Sequence, residues 1–165
     1  MVAPTTSQSV VRSATLNDAA TLARLRYALR SSTGKTTEPL ADFITRCIAW
    51  MEPRLKQPAA WQCWVAEING QIFGAIWLQL IEKIPNPQGK AENLAYITNF
   101  YVEEQTRGRG VGSQLLRTAI EWCTAHDVSE VVLWPTDRSR TLYQRHGFAV
   151  RDDVMELVVR TPLAC

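Results

Sequence analysis

Residues Asn99–Leu116 read NFYVEEQTRGRGVGSQLL. An extended run of aromatic and β-branched residues ends at Val102, and two acids, Glu103 and Glu104, follow it. Arg107–Gly112, RGRGVG, then crowds three glycines and two arginines together. From Val111 the apolar residues Leu115, Leu116, Ala119, Ile120 and Cys123 recur at helical spacing. A glycine near a helix costs about 1 kcal/mol relative to alanine, so three of them need a compensating role. The first N–H groups of a helix have no partner inside it, and the helix dipole adds roughly half a positive charge there. Missing side chains let an anion reach those amides. Arg107 and Arg109 add full charges. The segment reads as a cradle for a phosphate or pyrophosphate.

Two common phosphate motifs do not fit. A P-loop needs a lysine after its last glycine, and Ser113 follows Gly112 instead. The dinucleotide fingerprint GxGxxG fails because Gly108–Ser113 reads GRGVGS. Arg107–Gly112 does match [Q/R]xxGx[G/A], and this resembles the acetyl-coenzyme A signature of the GCN5-related N-acetyltransferase (GNAT) superfamily. The strand YITNFYV before it and the helix SQLLRTAIEWC after it resemble that family's central strand and helix. RTLYQRHGF resembles its closing LYxxxGF segment, and VRSATLNDAATLARL its first strand and helix. The resemblance covers Val10 to about Val159.

The remaining chain fills in around this core. Val10–Ser13 is a short strand, and Asn17 or Asp18 suits a helix N-cap. Leu22, Leu25, Arg26 and Leu29 follow at helical spacing. Phe43, Ile44, Cys47, Ile48 and Met51 mark a second helix, limited by Pro53. Asn69-Gly70 is a hairpin turn between strands Val65–Ile68 and Ile72–Ile81. Leu94–Val102 is the central strand. SEVVLWP is a buried strand, TDRSRTLYQRH a short helix stopped by Gly147, and 148–159 a final strand pair. The fold class is α/β (α+β): a single GNAT-like domain over 9–160, with a mixed central sheet of about seven strands, about four flanking helices and splayed central strands.

Composition narrows the function classes. A chain of 165 residues, 46% hydrophobic and 21% charged, suits one soluble globular domain. A net charge of +2 is too small to predict a nucleic-acid or membrane partner. No apolar run approaches the roughly 20 residues of a membrane span, and no secretion signal is read at the N-terminus, so a cytoplasmic protein is expected. Cys47, Cys63, Cys123 and Cys165 form no CxxC pair, and His126 and His146 stand at no ligand spacing from them, so no metal is expected. Cys47 and Cys123 fall on apolar helical stripes and read as core residues.

The resemblance assigns roles by position. Acetyl-coenzyme A is the implied cosubstrate, entering where the central strand splays from its parallel neighbour, Val131–Trp134. Its pantetheine arm would pair with the backbone of Phe100, Tyr101 and Val102, and a bulge there would aim unpaired groups inward. The pyrophosphate would rest on Arg107, Gly108, Arg109, Gly110, Val111 and Gly112, with Ser113 in support. Tyr143, in the LYxxxGF segment, is the implied general acid toward the departing thiolate. A backbone N–H within Phe100–Val102 would stabilise the carbonyl oxygen. The base is harder to find, because Leu94–Val102 holds no carboxylate. Asn99 or Tyr96 could hold a water that carries the proton away. Glu92, Glu103 and Glu104 flank the strand. Thr136-Asp137 stands where many members of the family carry an asparagine.

The acceptor site is expected between Tyr27 and Trp50, with Ser31, Lys35, Glu38 and Asp42 giving mixed charge. Trp134 could line a pocket beside the cleft; the other tryptophans read as core. The acceptor is a small-molecule or peptide amine, and the resemblance leaves room for a homodimer. A non-catalytic acyl-coenzyme A-binding module is the rival from another class.

Overall fold

Five strands form one sheet in the spatial order β1 (Val10–Ser13), β2 (Trp61–Ile68), β3 (Gln71–Glu82), β4 (Asn93–Val102) and β5 (Val128–Val132), in a computed structural model that describes residues 9–34, 36–87 and 92–159. The first three junctions are antiparallel, and β4–β5 is parallel. The β2–β3 hairpin turns where Asn69-Gly70 predicts. Both residues have positive φ, 51° and 77°, the geometry that suits the twist of the flanking strands.

Alternation along the strands sorts the core into two faces. Cys63, Val65, Ala75 and Trp77 meet Leu22, Ala23 and Leu25 of α1 (Ala19–Ser31) and Met51 of α2 (Leu40–Lys56). On the opposite face Trp64 meets Trp122 of α3 (Val111–Ala125), ring centroids 6.0 Å apart. Gly74 lies on this second face. A Cβ there would sit 3.1 Å from the Tyr101 carbonyl oxygen and Val102 Cγ2, and 3.2 Å from Leu115 Cδ1. Only glycine lets α3 come this close to the sheet. Cys47 is half-buried on α2 and Cys123 buried on α3, as their apolar stripes predict.

The turn into α1 is fixed by charge. The buried Asp18 carboxylate accepts from Arg12 Nη1 at 2.8 Å and from the Thr15 N–H at 2.7 Å. Arg12 Nε reaches Glu67 at 2.9 Å, so one guanidinium joins β1, β2 and the start of α1. The Arg12 hydrogen bond holds the Asp18 carboxyl below the usual carboxylate range, against a burial cost that pushes it up.

The structure corrects three expectations. Pro53 does not end α2, which runs on to Lys56. It removes one intrahelical donor, but its own carbonyl accepts from the Gln57 N–H at 3.1 Å, and the helix completes its last turn. The strand over SEVVLWP is an edge rather than a buried strand, with Ser129 and Glu130 exposed. The sheet has five strands among the described residues, not about seven, because 148–159 forms no strand. Strand propensity is a weak prior that context overrides. Val154, Met155, Leu157, Val158 and Val159 are all exposed, and Arg151 and Asp153 close a local ion pair.

The chain divides after Trp134 into two compact units. The second holds a short turn at Asp137–Ser139 and α4 (Arg140–Arg145), which ends at Gly147 with φ +87°.

Candidate active site

Strand β4 breaks its own regularity in the middle. Its pairing with β3 runs through Trp77↔Thr98 and resumes at Ala75↔Tyr101, so Asn99 and Phe100 together oppose Ile76. This is a β-bulge, and Asn99 takes the left-handed conformation it needs, φ 49°. Asparagine tolerates that region better than almost any residue with a side chain. Its Oδ1 is buried without a hydrogen-bond partner among the described residues. The extra residue also resets the alternation. Tyr96, Thr98 and Tyr101 oppose Gln79, Trp77 and Ala75, and so share the face that carries α1 and α2.

The other edge of β4 opens just before the bulge. Parallel pairing with β5 ends at Tyr96↔Val132, while β4 continues to Val102. The strands therefore share an apex and part beyond it. Trp134 packs edge-on against Tyr96 at that apex, with ring centroids 4.9 Å apart, and remains 64% exposed.

Beyond Val102 the chain prepares a helix start. The Glu103 N–H still donates to the Phe73 carbonyl at 2.8 Å, and a single turn at Glu104–Thr106 follows. Gly108 and Gly110 have φ of +77° and +80°, and Gly110 caps α3 without any side-chain hydrogen bond to the helix. The next intrachain bond is Gln114 N–H to Gly110 O at 3.0 Å. Among the described residues no acceptor occupies the N–H groups of 108–113. A Cβ built on Gly108 or Gly110 would meet nothing within 4 Å. The glycines are thus required by backbone conformation, and the space they leave is open, a cradle suited to an anion.

The two arginines differ. Arg107 folds back: Nε donates to Val102 O and Nη1 pairs with Glu104, both at 2.8 Å, with the guanidinium 5.6 Å from the Tyr101 ring centroid. Arg109 is exposed and makes no ion pair among the described residues. Ser113 lies in the first turn of α3, half-buried.

The structure gathers Asn99, Phe100, Tyr101, Val102 and Arg107–Ser113 along one continuous path. Tyr143 belongs to the second unit. There it is buried on α4, its ring 5.6 Å from that of Phe148, and its carbonyl accepts from the His146 and Phe148 N–H groups at 2.9 and 3.1 Å. Burial pushes its hydroxyl up to about 12. In the expected acceptor region, Tyr27 donates to Glu38 O at 3.4 Å and stacks obliquely on Phe43. Glu38 is bridged to Arg46, and Lys35 lies outside the described residues. Glu92 is taken up by Lys83 and Asn86, and Glu103 by Gln105. No group of three His, Cys, Asp or Glu able to hold a metal ion occurs among the described residues.

Sequence reasoning named Arg26 only as a stripe residue and gave it no role. The signal was present: a cation at a core-facing position of an apolar helix.

The chain resembles known proteins in sequence and fold. A family model described as acetyltransferase (GNAT) family matches residues 25–148. A protein of Mycobacterium tuberculosis described as "Probable N-acetyltransferase" is 25% identical over 148 residues, spanning 85% of this chain and 79% of that protein. The fold is similar to a crystal structure from Clostridium acetobutylicum described as a "predicted acetyltransferase with acetyl-CoA" (24% identity, TM-score 0.76, 92% of this chain and 96% of that one). It is also similar to a GCN5-related N-acetyltransferase from Ralstonia eutropha (26% identity, TM-score 0.75, 92% and 99%).

Proposed function

The chain belongs to the acetyltransferase (GNAT) family, and from that premise we propose that it moves an acetyl group from acetyl-coenzyme A to an amine by direct attack. Acetyl-coenzyme A supplies the activated thioester carbonyl. The chain's residues supply binding, orientation and proton handling. The observation that carries the proposal is the row of N–H groups at 108–113, which opens onto unfilled space at a helix start. These amides bind the diphosphate, with Arg109 adding charge and Ser113 supporting from the first helical turn. The backbone of Phe100–Val102, beyond the last residue paired with β5, pairs with the pantetheine arm as an added strand. An N–H in the same stretch stabilises the carbonyl oxygen as charge develops.

The orphaned Oδ1 of Asn99 accepts a hydrogen bond from the attacking amine or from a water that removes its proton. Tyr143 donates toward the departing sulfur. With its hydroxyl near 12 and a thiol near about 8.5, full proton transfer would be uphill by about 3.5 units, or about 5 kcal/mol. Tyr143 therefore acts as a hydrogen-bond donor to the thiolate, and solvent completes the protonation. The family match runs across the boundary after Trp134, which supports treating 9–160 as one catalytic domain.

The absence of a carboxylate along β4 favours one alternative, an acyl-coenzyme A-binding module without turnover. An acceptor screen that reads free thiol separates the two. Transfer releases thiol with at least one amine; the module releases none with any.

A further inference from the structure

The stripe that α1 turns toward the sheet holds Leu22, Leu25, Arg26 and Leu29. Leu22 and Leu25 are buried, and Arg26 is half-buried between them and the end of the helix. Its electrostatic neighbours are Tyr96 of β4, Cys47 of α2 and Arg30 one turn along α1. None is a carboxylate. Burial pushes the Cys47 thiol up, so it stays protonated at neutral pH. Glu38, in the α1–α2 connection, is committed to Arg46. Arg26 makes no hydrogen bond or ion pair among the described residues, and the residues outside them include no Asp or Glu.

A guanidinium keeps its charge in proteins, so it cannot escape partial burial by losing a proton. Partial desolvation beside a like charge is unfavourable unless an anion arrives. The location supplies a reason for one. Helix α1 packs against β4, and Tyr96, the last β4 residue paired with β5, is an electrostatic neighbour of Arg26, so the guanidinium charge bears on the apex of the opening. It does so on the face that also bears Thr98 and Tyr101, two and five residues along β4. The glycine cradle lies past the far end of β4, after Val102. Arg26 is therefore remote along the strand from the diphosphate and close to where the strands part.

We propose that Arg26 is the anion anchor of the acceptor site, so that the acceptor is a small amine carrying an oxyanion, either carboxylate or phosphate. This rests on the acetyltransferase assignment. The planar fork of a guanidinium binds either oxyanion through two parallel hydrogen bonds, and Arg30 adds to the local positive field.

The test uses matched acceptors and the full chain. Amino acids are compared with their amides, and phosphoethanolamine with ethanolamine, by thiol release from acetyl-coenzyme A and by calorimetry. Wild type should prefer the charged member of at least one pair by about tenfold or more in kcat/KM, the worth of one charge-assisted bond. The pair that responds identifies carboxylate or phosphate. Arg26→Gln should abolish that preference, and Arg26→Lys should restore part of it, while acetyl-coenzyme A affinity stays unchanged in both. Arg26→Met should leave Tm the same or higher, because no intrachain partner is lost; a lower Tm would make Arg26 a structural residue and overturn the proposal. Equal use of charged and neutral acceptors by wild type, or a preference that survives Arg26→Gln, would also overturn it. If no thiol is released but calorimetry shows Arg26-dependent binding of a charged amine, the anchor stands and the transferase assignment fails.

Discussion

Arg107 is turned back onto Val102, its Nε donating to the Val102 carbonyl oxygen at 2.8 Å while Glu104 takes Nη1. The two arginines of the RGRG sequence are therefore unequal. Arg107 closes the strand end and Arg109 faces outward. Arg109→Ala should weaken acetyl-coenzyme A binding about three- to tenfold, with a loss that shrinks at high salt. Arg107→Ala should lower stability by about 1 kcal/mol and affect affinity less. Calorimetry at two ionic strengths and thermal melts separate them; the reverse ranking would exchange their roles.

Gly110 offers a cleaner probe of the cradle. A Cβ there meets nothing of the protein within 4 Å, so it would enter the space proposed for the anion. Gly110→Val should cost about 1–2 kcal/mol for holding a β-branched residue at φ +80°, yet reduce acetyl-coenzyme A affinity beyond detection. Gly110→Asn tolerates the backbone angle and should fold nearly as well as wild type while still binding poorly. Full affinity in Gly110→Asn would move the diphosphate elsewhere.

Asn99 carries both a conformation and an oxygen, and two variants separate them. Asn99→Gly keeps the left-handed angle and removes Oδ1; Asn99→Ala removes both. Only the alanine should lose stability, by about 1 kcal/mol. Both should lose turnover to a similar extent, about ten- to hundredfold. Turnover that tracks stability instead would reduce Asn99 to a bulge former.

Tyr143→Phe should lower kcat about ten- to hundredfold with little change in acetyl-coenzyme A affinity, measured by steady-state kinetics and calorimetry. Its hydroxyl, raised from 10 to about 12, also predicts a stability effect. The unfolded chain releases this proton first, so the stabilising contribution is complete below pH about 10 and is lost as pH rises to about 12. Denaturation across that window should show a decline larger in wild type than in Tyr143→Phe by about 2–3 kcal/mol.

Asp18 predicts the opposite limb. Its carboxyl is held low chiefly by Arg12, so its contribution is present above the ordinary carboxylate range, near 4, and disappears as pH falls through the lower folded value. Asp18→Asn should be less stable at neutral pH and flatter in acid. An acid limb as steep as that of wild type would assign it to other carboxylates.

Local rules made some parts of this structure legible. Asn69-Gly70 announced its hairpin because few dipeptides satisfy two successive positive φ angles. The Val111–Cys123 stripe announced α3 because its period matches a helix and both ends are marked. The bulge in β4 could be anticipated only through family resemblance, since nothing in TNFY says which residue lies unpaired; that depends on β3 running opposite. Residues 148–159 misled because an apolar-rich run records only a propensity, which context overrides. The freedom of Arg26 was illegible for a related reason. A lone cation on an apolar stripe becomes informative once no acid is found paired with it among the described residues.

Gly74 acts as a gauge between the two halves of the site. Its missing methyl sets how near Leu115 of α3 stands to the end of β4, and in the proposed binding mode β4 and α3 hold the two ends of one long ligand. Any side chain at 74 must move helix and strand apart by tenths of an ångström. Such a change touches no atom of the ligand, yet it would alter the reach the ligand must span. Relatives that accept longer or shorter acyl groups could be tuned at this distant point in the sheet without redesigning either end.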